Sequence, residues 1–446
     1  MNVLFWNPPW FEFDFKDGKR EIRKGVRSGS RWPHTVPYHT TPGDYTFGYY
    51  SPYPHFLGAA ATYTQKHTKA KVSFRDSIAL QESYQSGFDW VKRQEPDLIF
   101  IETATPSWDH DKKLIAYLAT VVPQAKIAIG GTIATTMGQT ILKSSPNVVA
   151  VMKGEMEKNC VKVIEGATGI VEFDLMTQDE MNLAPFPYYD NSIAHLYCDS
   201  NPIGTTFPHA QVMASRGCMF KCEFCAWPAT MTGNDPDGSK PRKVRFYGNG
   251  YMGDYLGQLK AKYHYRSIYF DDDTFNLSDR HTSAMCGVMR KVQLPWGAMC
   301  RADTSSDEVW KEMKDSGCYG VKIGFETGSQ RIIDKVIGKK LDLKAAEETR
   351  WKLHKLGLSV HGTFMLGHPS ETPEEKKETL AMIDRLKLTP EFNGSYQLSA
   401  TAVIEGTPLH NIVKGDHLKA YPEAVIDHNF QFATDGAKAV SQHLLT

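Results

Sequence analysis

Short apolar runs alternate with segments of helical period along most of the chain. Residues 2–6 (NVLFW) form the first run, and Asn7-Pro8-Pro9 closes it, so a buried strand entering a turn is predicted. A helix suits 56–69 and a strand 71–74 (KVSF); Tyr84, Phe88 and Val91 mark the apolar stripe of the next helix. The series continues with strand 97–102 (DLIFIE), then a helix lined by Leu114, Tyr117, Leu118 and Val121. Strand 126–131, a helix through about 145, strand 147–154 and a helix from 155 complete it. A second series opens at 211–215 (QVMAS). It adds strands at 267–270, 297–300, 320–325, 358–366 and 395–403, with helices at 280–292, 306–316, 329–337, 343–356 and 373–386. Thr372-Pro373-Glu374-Glu375 is a helix start.

Five strands alternating with helices predict an α/β fold, an open parallel sheet wound as in Rossmann-like (flavodoxin-like) domains. Six more at the same rhythm predict a partial (βα)6 barrel. Two stretches break the pattern. Residues 11–55 show no period, and a loop this long is functional or disordered. Its Trp and Tyr content favours a folded lid or pocket wall. Residues 167–210 read as a linker stiffened by LAPFPYYD at 183–190. The predicted order is a sheet domain over 1–166, that linker, a barrel over 211–410, and a tail over 411–446 that is a candidate substrate-pocket element.

Charge narrows the partners. With 51 basic and 51 acidic residues the formal net charge is zero, which gives no electrostatic argument for nucleic acid or an anionic membrane. The longest apolar stretch, 114–129, is broken by Pro123, Gln124 and Lys126, so no membrane span is predicted. The start, MNVLFWNPPW, lacks a basic n-region and a cleavage site. Eight cysteines without an export signal point to a reducing compartment, the cytoplasm.

Three of those cysteines carry the strongest chemical signal. Cys218, Cys222 and Cys225, at C-x3-C-x2-C spacing, crowd three soft ligands onto one loop leaving a strand. Three thiolates can hold three irons of a cubane 4Fe–4S cluster and leave the fourth iron open. Zinc with a recruited histidine such as His209 is the competing reading, although no second ligand pair stands at knuckle spacing. Cys160, Cys198, Cys286, Cys300 and Cys318 have no ligand spacing and read as small buried hydrophobes.

In parallel α/β architectures ligands gather beyond the carboxyl ends of the strands. In the first series those ends are Asn7-Pro8-Pro9-Trp10, Thr103 to Trp108, Gly130-Gly131-Thr132 and Gly154-Glu155. The glycines permit close backbone approach, or simply a tight turn. There is no G-x-G-x-x-G, which leaves a nicotinamide reading with little support. The second series ends in Asp271-Asp272-Asp273, Arg301-Ala-Asp303, Gly324-Phe-Glu326 and His361 through Gly367 to Glu371. A last strand end runs from Ala402 to Leu409.

The cysteine loop, with Phe224 before the last cysteine, resembles the C-x3-C-x-aromatic-C hallmark of radical S-adenosylmethionine enzymes. GFETGSQRIIDKVIGK and HGTFMLGHPSETPEE resemble that superfamily's fourth and fifth strand motifs. The likeness covers 211–410, and more loosely 1–165, where the sheet resembles the cobalamin-binding domain of cobalamin-dependent members. D-x-H-x-x-G is absent after the first strand, and Asp271–Asp273 stands where those enzymes carry Gly-Gly-Glu, so the amine-binding residue is open. The resemblance implies three cofactors: a 4Fe–4S cluster on Cys218, Cys222 and Cys225, S-adenosylmethionine, and cobalamin. It implies S-adenosylmethionine contacts from Phe224, Asp271, Asp272, Asp273, Arg301, Glu326, His361 and Gly367. Cobalamin contacts fall to Asn7, Pro8, Trp10, Thr105, Ser107, Trp108, Gly130, Gly131, Thr132, Gly154 and Glu155. A scaffolding sheet without a cofactor, with Trp108 packed under its helix, is the plainer alternative.

The activity implied is methyl transfer to an unactivated carbon of a small molecule or peptide, with an external one-electron donor of flavodoxin or ferredoxin type. Rearrangement, cyclisation or oxidation with the same cofactors is the alternative within enzymes; a cobalamin or redox sensor is the alternative outside them. No cysteine precedes Cys160 or follows Cys318, which disfavours an auxiliary cluster.

Overall fold

A computed structural model describes residues 1–9, 52–80, 82–104, 107–197, 206, 208–225, 242–401 and 407–413, and the backbone of 11–16, 19–24 and 34–37. It divides into two units: 1–200 with 229–236 and 262–264, and 201–228 with 237–261 and 265–446.

In the first unit β1 (Asn2–Asn7) pairs with β5 (Lys71–Asp76) on one side and β6 (Leu98–Glu102) on the other, all parallel. β7 (Lys126–Gly130), β8 (Val148–Met152) and β9 (Gly169–Val171) extend the sheet to the order β5-β1-β6-β7-β8-β9. Winding therefore reverses between β1 and β6, and a crevice opens at such a switch point. Alternation along β1 explains why NVLFW is apolar throughout: Val3 and Phe5 enter one core with Leu57, Phe100 and Met152. Leu4 and Trp6 enter the other, with Phe88, Ile99 and Leu118.

Helices α1 (His55–His67), α2 (Tyr84–Gln94), α3 (Trp108–Val121), α4 (Thr132–Leu142) and α5 (Glu157–Ile164) fill the predicted places. A short α6 (Gln178–Leu183) opens with a Thr177–Glu180 capping box.

Two expectations change here. β9 makes a sixth strand inside the stretch predicted as a linker; a three-residue run is too short to show a period. The stretch 11–55 also holds regular backbone: β2 (Phe11–Lys16), β3 (Lys19–Lys24) and β4 (His34–Pro37) form an antiparallel sheet. Phe11, Phe13 and Phe15 carried the period-2 signal. The remainder of that stretch, Cys198 and residues 414–446 lie outside the described residues.

In the second unit six parallel strands form the partial (βα)6 barrel sheet, in chain order. They are β10 (His209–Val212), β13 (Ser267–Phe270), β14 (Trp296–Cys300), β15 (Cys318–Glu326), β16 (Ser359–Leu366) and β17 (Gly394–Ala400). A small ribbon, β11 (Ser215–Arg216) with β12 (Arg245–Phe246), precedes α7 (Asn249–Tyr263), a helix the sequence reading missed. Met252, Tyr255, Leu256, Leu259 and Tyr263 are its buried face.

Helices α8 (Asp279–Val292), α9 (Asp307–Asp315) and α10 (Leu343–Lys355) start on side-chain caps from Ser278, Ser306 and Asp342. α11 (Pro373–Leu386) opens on a Thr372–Glu375 capping box, and α12 is Pro408–Ile412. The helix expected at 329–337 is a π-turn over Ile332–Val336, a form common at functional sites. Among the described residues no helix is long and apolar enough to cross a membrane.

Candidate functional site

Non-local pins hold the cysteine loop. Glu223 N donates to Ile337 O at 2.9 Å, and Leu409 N donates to Glu223 O at 2.9 Å. Arg242 Nη1 donates to Phe220 O at 2.9 Å, and the Arg301 guanidinium lies 3.7 Å over the Phe220 ring. Phe224 packs on Leu409 and Val413. Gly338 sits at φ +60°, and a Cβ there would lie 3.3 Å from Glu223 Cγ, a tight contact that would press on the loop. None of the described cysteines is in a disulfide.

Burial pushes the Cys218 and Cys222 thiols up; at Cys222 the cations of Lys339, Arg301 and Arg242 oppose that effect. A bound cation supplies the counter-charge such thiols lack. Among the described residues no three His, Cys, Asp or Glu side chains converge on one ion. Three thiols on one loop suit a cubane, which takes each cysteine on its own iron.

The strand ends differ in what they leave available. Asp271 accepts from Gln211 Nε2, and Asp272, fully buried, accepts from Ala214 N at 3.1 Å and from Ser215 Oγ. Burial pushes Asp272 up to about 7. Both aspartates thus brace β10 and the turn feeding the cysteine loop. Asp273 is half-buried beside Cys218, whose thiol its charge helps to raise.

The Arg301 fork is also closed within the chain. Its Nε and Nη2 donate to the two Asp303 oxygens at 2.9 and 2.8 Å, because Asp303 lies two residues downstream and reaches back. Arg301 acts here as a clamp on Phe220. Glu326 sits at φ +68°, unusual for a non-glycine residue, and pairs with Lys339 at 2.6 Å. Lys339 Nζ also donates to Gly324 O at 2.7 Å, and a Cβ at Gly324 would collide with Glu326 Oε1.

His361 is buried, with Nδ1 2.9 Å from Ser395 Oγ; burial and then Lys322 hold its pKa well below the usual range. Gly367, at φ +82°, donates to Glu371 Oε2 at 2.5 Å, and burial pushes Glu371 up to about 7. Lys339, Phe220 and Arg242 were missed. Lys339 gave one cue, a lysine directly after a glycine, which also suits a solvated turn.

In the first unit Asn7 Nδ2 donates to Asp76 Oδ1 at 2.9 Å, and Asp76 also accepts from Ile78 N at 3.0 Å and Ala79 N at 3.1 Å. Asn7 Oδ1 is buried without a partner among the described residues. It lies at the β1 end beside the switch point, next to buried Pro8, an acceptor suited to a ligand carrying carboxamides.

Other expected contacts are internal. Ser107 Oγ donates to buried Asp111 at 2.6 Å, and Glu155 accepts from Met176 N at 2.9 Å. Trp108 is 5 % exposed and sits in the core with Leu114 and Ile133. A Cβ at Gly131, φ +103°, would lie 2.1 Å from Thr103 O, and one at Gly130 2.8 Å from Met156. Those two glycines, with Gly154 against Phe173, serve chain packing; Thr132 opens α4. Trp10 and Thr105 lie outside the described residues.

A cysteine loop at the mouth of a partial (βα)6 barrel defines a class, and residues 212–383 match the model of the Radical SAM superfamily. More narrowly, its fold is shared with TsrM from Kitasatospora setae, a radical S-adenosylmethionine methyltransferase solved with cobalamin and a 4Fe–4S cluster bound. The TM-score is 0.63 at 14% identity, covering 80% of this chain and 74% of that one. By sequence the chain is similar to an uncharacterized methyltransferase of Pyrococcus horikoshii, 26% identical over 357 residues, 74% of this chain and 73% of the relative. It is also similar to the cytidylyl-2-hydroxyethylphosphonate methyltransferase of Streptomyces wedmorensis, 24% identical over 328 residues, 63% of this chain and 59% of the relative.

Proposed function

We propose that this chain is a cobalamin-dependent radical S-adenosylmethionine methyltransferase acting on an unactivated carbon of a small-molecule or peptide substrate. The observation that carries it is the loop of Cys218, Cys222 and Cys225, outside any disulfide and pinned by Ile337, Leu409, Arg242 and Arg301. The flavodoxin-like sheet with the unpartnered Asn7 acceptor, and the similarity to named methyltransferases, support the cobalamin half.

When bound, the cluster supplies an electron for cleaving the sulfonium of S-adenosylmethionine, and cobalamin supplies a methyl carrier. The chain's part is placement. The three thiolates hold the cluster, and Asp273, beside Cys218, is the carboxylate for the α-amino group. Glu326, fixed by Lys339, accepts ribose hydroxyls, and the loop at Gly367 lines the nucleoside. Asn7 orients the corrinoid at the switch point.

The test is anaerobic reconstitution with iron, sulfide and cobalamin. About four irons per chain, retained cobalamin and conversion of S-adenosylmethionine to 5′-deoxyadenosine are expected. A product heavier by about 14 Da marks methyl transfer, whereas rearrangement or oxidation leaves a different mass. One zinc without sulfide, or failure to retain cobalamin, refutes the reading.

A further inference from the structure

Resting on that reading, we infer that the barrel interior along β15, β16 and β17 is a substrate subsite for an anionic small molecule. Lys322 holds its carboxylate or phosphate, and Gln397 accepts from a hydroxyl of the same ligand. Register sorts the side chains of these strands onto two faces. Val321, Ile323, Phe325 and Phe364 are at most 1% exposed, and the Phe325 and Phe364 rings stack at 5.5 Å. A Cβ at Gly362 would lie 2.6 Å from Leu388 Cδ1, just beyond α11, so this face meets the helix layer. The alternate residues line the interior. Lys322 stands in register with His361 and His361 with Ser395; two residues on, Thr363 stands in register with Gln397. Contacts join the row: His361 Nδ1 is 2.9 Å from Ser395 Oγ, and Gln397 Nε2 donates to Ser399 Oγ at 2.9 Å.

Barrel interiors that serve packing alone are filled by branched apolar side chains. This row is polar, and Lys322, Thr363 and Ser395 are half-buried, so solvent reaches the interior here. Lysine is depleted from strands, and β15 is paired on both sides, so a cation at mid-strand is a costly choice for packing. His361 does not share that charge, since burial and then the Lys322 cation keep it neutral. Gln397, 2% exposed, lies near His361, yet its Oε1 makes no hydrogen bond among the described residues. It is a buried acceptor with capacity for a ligand donor. Lys322 and Gln397 stand two strands apart, roughly 10 Å between backbones, so the anion and the hydroxyl belong to one small ligand. Lys322 also lies four residues, roughly 13 Å, before Glu326 along β15, which separates the row from the ribose acceptor.

The experiment measures binding of glycerol 3-phosphate, glycerate and uncharged glycerol to the reconstituted protein by ligand-observed NMR, without S-adenosylmethionine. At least one anion is expected to bind and glycerol is not; the tighter anion tells phosphate from carboxylate. Lys322→Met is expected to weaken the anion about tenfold, and Gln397→Leu by about fivefold. Iron content, read for each variant, is expected to match wild type. If Lys322→Met assembles poorly by that measure, Lys322→Gln and the wild-type preference for the anions over glycerol carry the test. No anion binding to wild type, glycerol bound as tightly as the anions, or an anion affinity unchanged in the Lys322 variants overturns the subsite. Wild-type protein that makes no 5′-deoxyadenosine on reduction overturns the radical reading instead, and the two failures are told apart because anion binding is read without that reaction.

Discussion

Replacing Lys339 by Met removes the cation from a buried pair. Lys339 and Glu326 are 7% and 10% exposed at the side chain and 2.6 Å apart. Deleting one partner of such a pair strands the other charge, at a cost of about 3–5 kcal/mol. The Gly324 carbonyl also loses its 2.7 Å donor. For a unit of this size that corresponds to a melting temperature lower by roughly 10 °C. Thermal unfolding of the metal-free protein, followed anaerobically by circular dichroism, reads the effect without the cofactors. Lys339→Met combined with Glu326→Gln removes the stranded charge and is expected to recover about half of the loss. Because Lys339 is also the foremost cation favouring the Cys222 thiolate, the single variant is expected to take up iron more slowly. A Lys339→Met protein melting within about 2 °C of wild type, or a double variant no better than the single, would refute the reasoning.

Cys218→Ala, Cys222→Ala and Cys225→Ala are each expected to abolish bound iron and sulfide, while Cys286→Ala, Cys300→Ala and Cys318→Ala keep them; iron and sulfide assays decide. Gly131→Ala, with its Cβ aimed at Thr103 O and φ at +103°, is expected to cost about 3 kcal/mol or more in urea unfolding; a cost below about 1 kcal/mol would contradict the packing argument. Asp76 is raised from 3.8 to about 6 by burial, so the folded state holds its proton more tightly than the unfolded one. That stabilisation is complete below pH 3.8 and is lost as pH rises through about 6, roughly 3 kcal/mol in all. Asp76→Asn is accordingly expected to gain on wild type between about pH 4 and 7, and a pH-independent difference would count against it. The cobalt(II) form is expected to show no protein-derived nitrogen splitting in electron paramagnetic resonance, because no histidine follows β1 and His110 lies 3.3 Å from the Tyr84 hydroxyl; a splitting lost in His110→Ala would refute this.

The sequence carried what is local. Spacing alone put three cysteines on one loop, and the apolar rhythm located the strands of both sheets, because periods of 2 and 3.6 are fixed by backbone geometry. What a strand-end side chain does with its charge is decided by partners far along the chain. Asp272 reads as a strand-end carboxylate, and its hydrogen bonds from Ala214 and Ser215, almost sixty residues earlier, have no local sequence signal. Glu326 could not be seen to need Lys339, since the intervening π-turn has no sequence rule. Arg301 shows the reverse: its partner Asp303 is only two residues away, and a chelating fork and a closed clamp have the same spelling. Trp108 was undecidable by pattern, as the first apolar residue of a helix faces either the core or the ligand crevice.

The hydrogen bond from Leu409 to the Glu223 carbonyl also sets a schedule. The ribosome delivers the three cysteines roughly 190 residues before the short helix that closes over Phe224. At about 5–20 residues per second that interval lasts about 10–40 s. Throughout it the nascent chain carries exposed thiols on a loop that is missing one of its walls. Delivery of iron and sulfide is therefore favoured after release from the ribosome, and in air those seconds are the period of greatest exposure to oxidation.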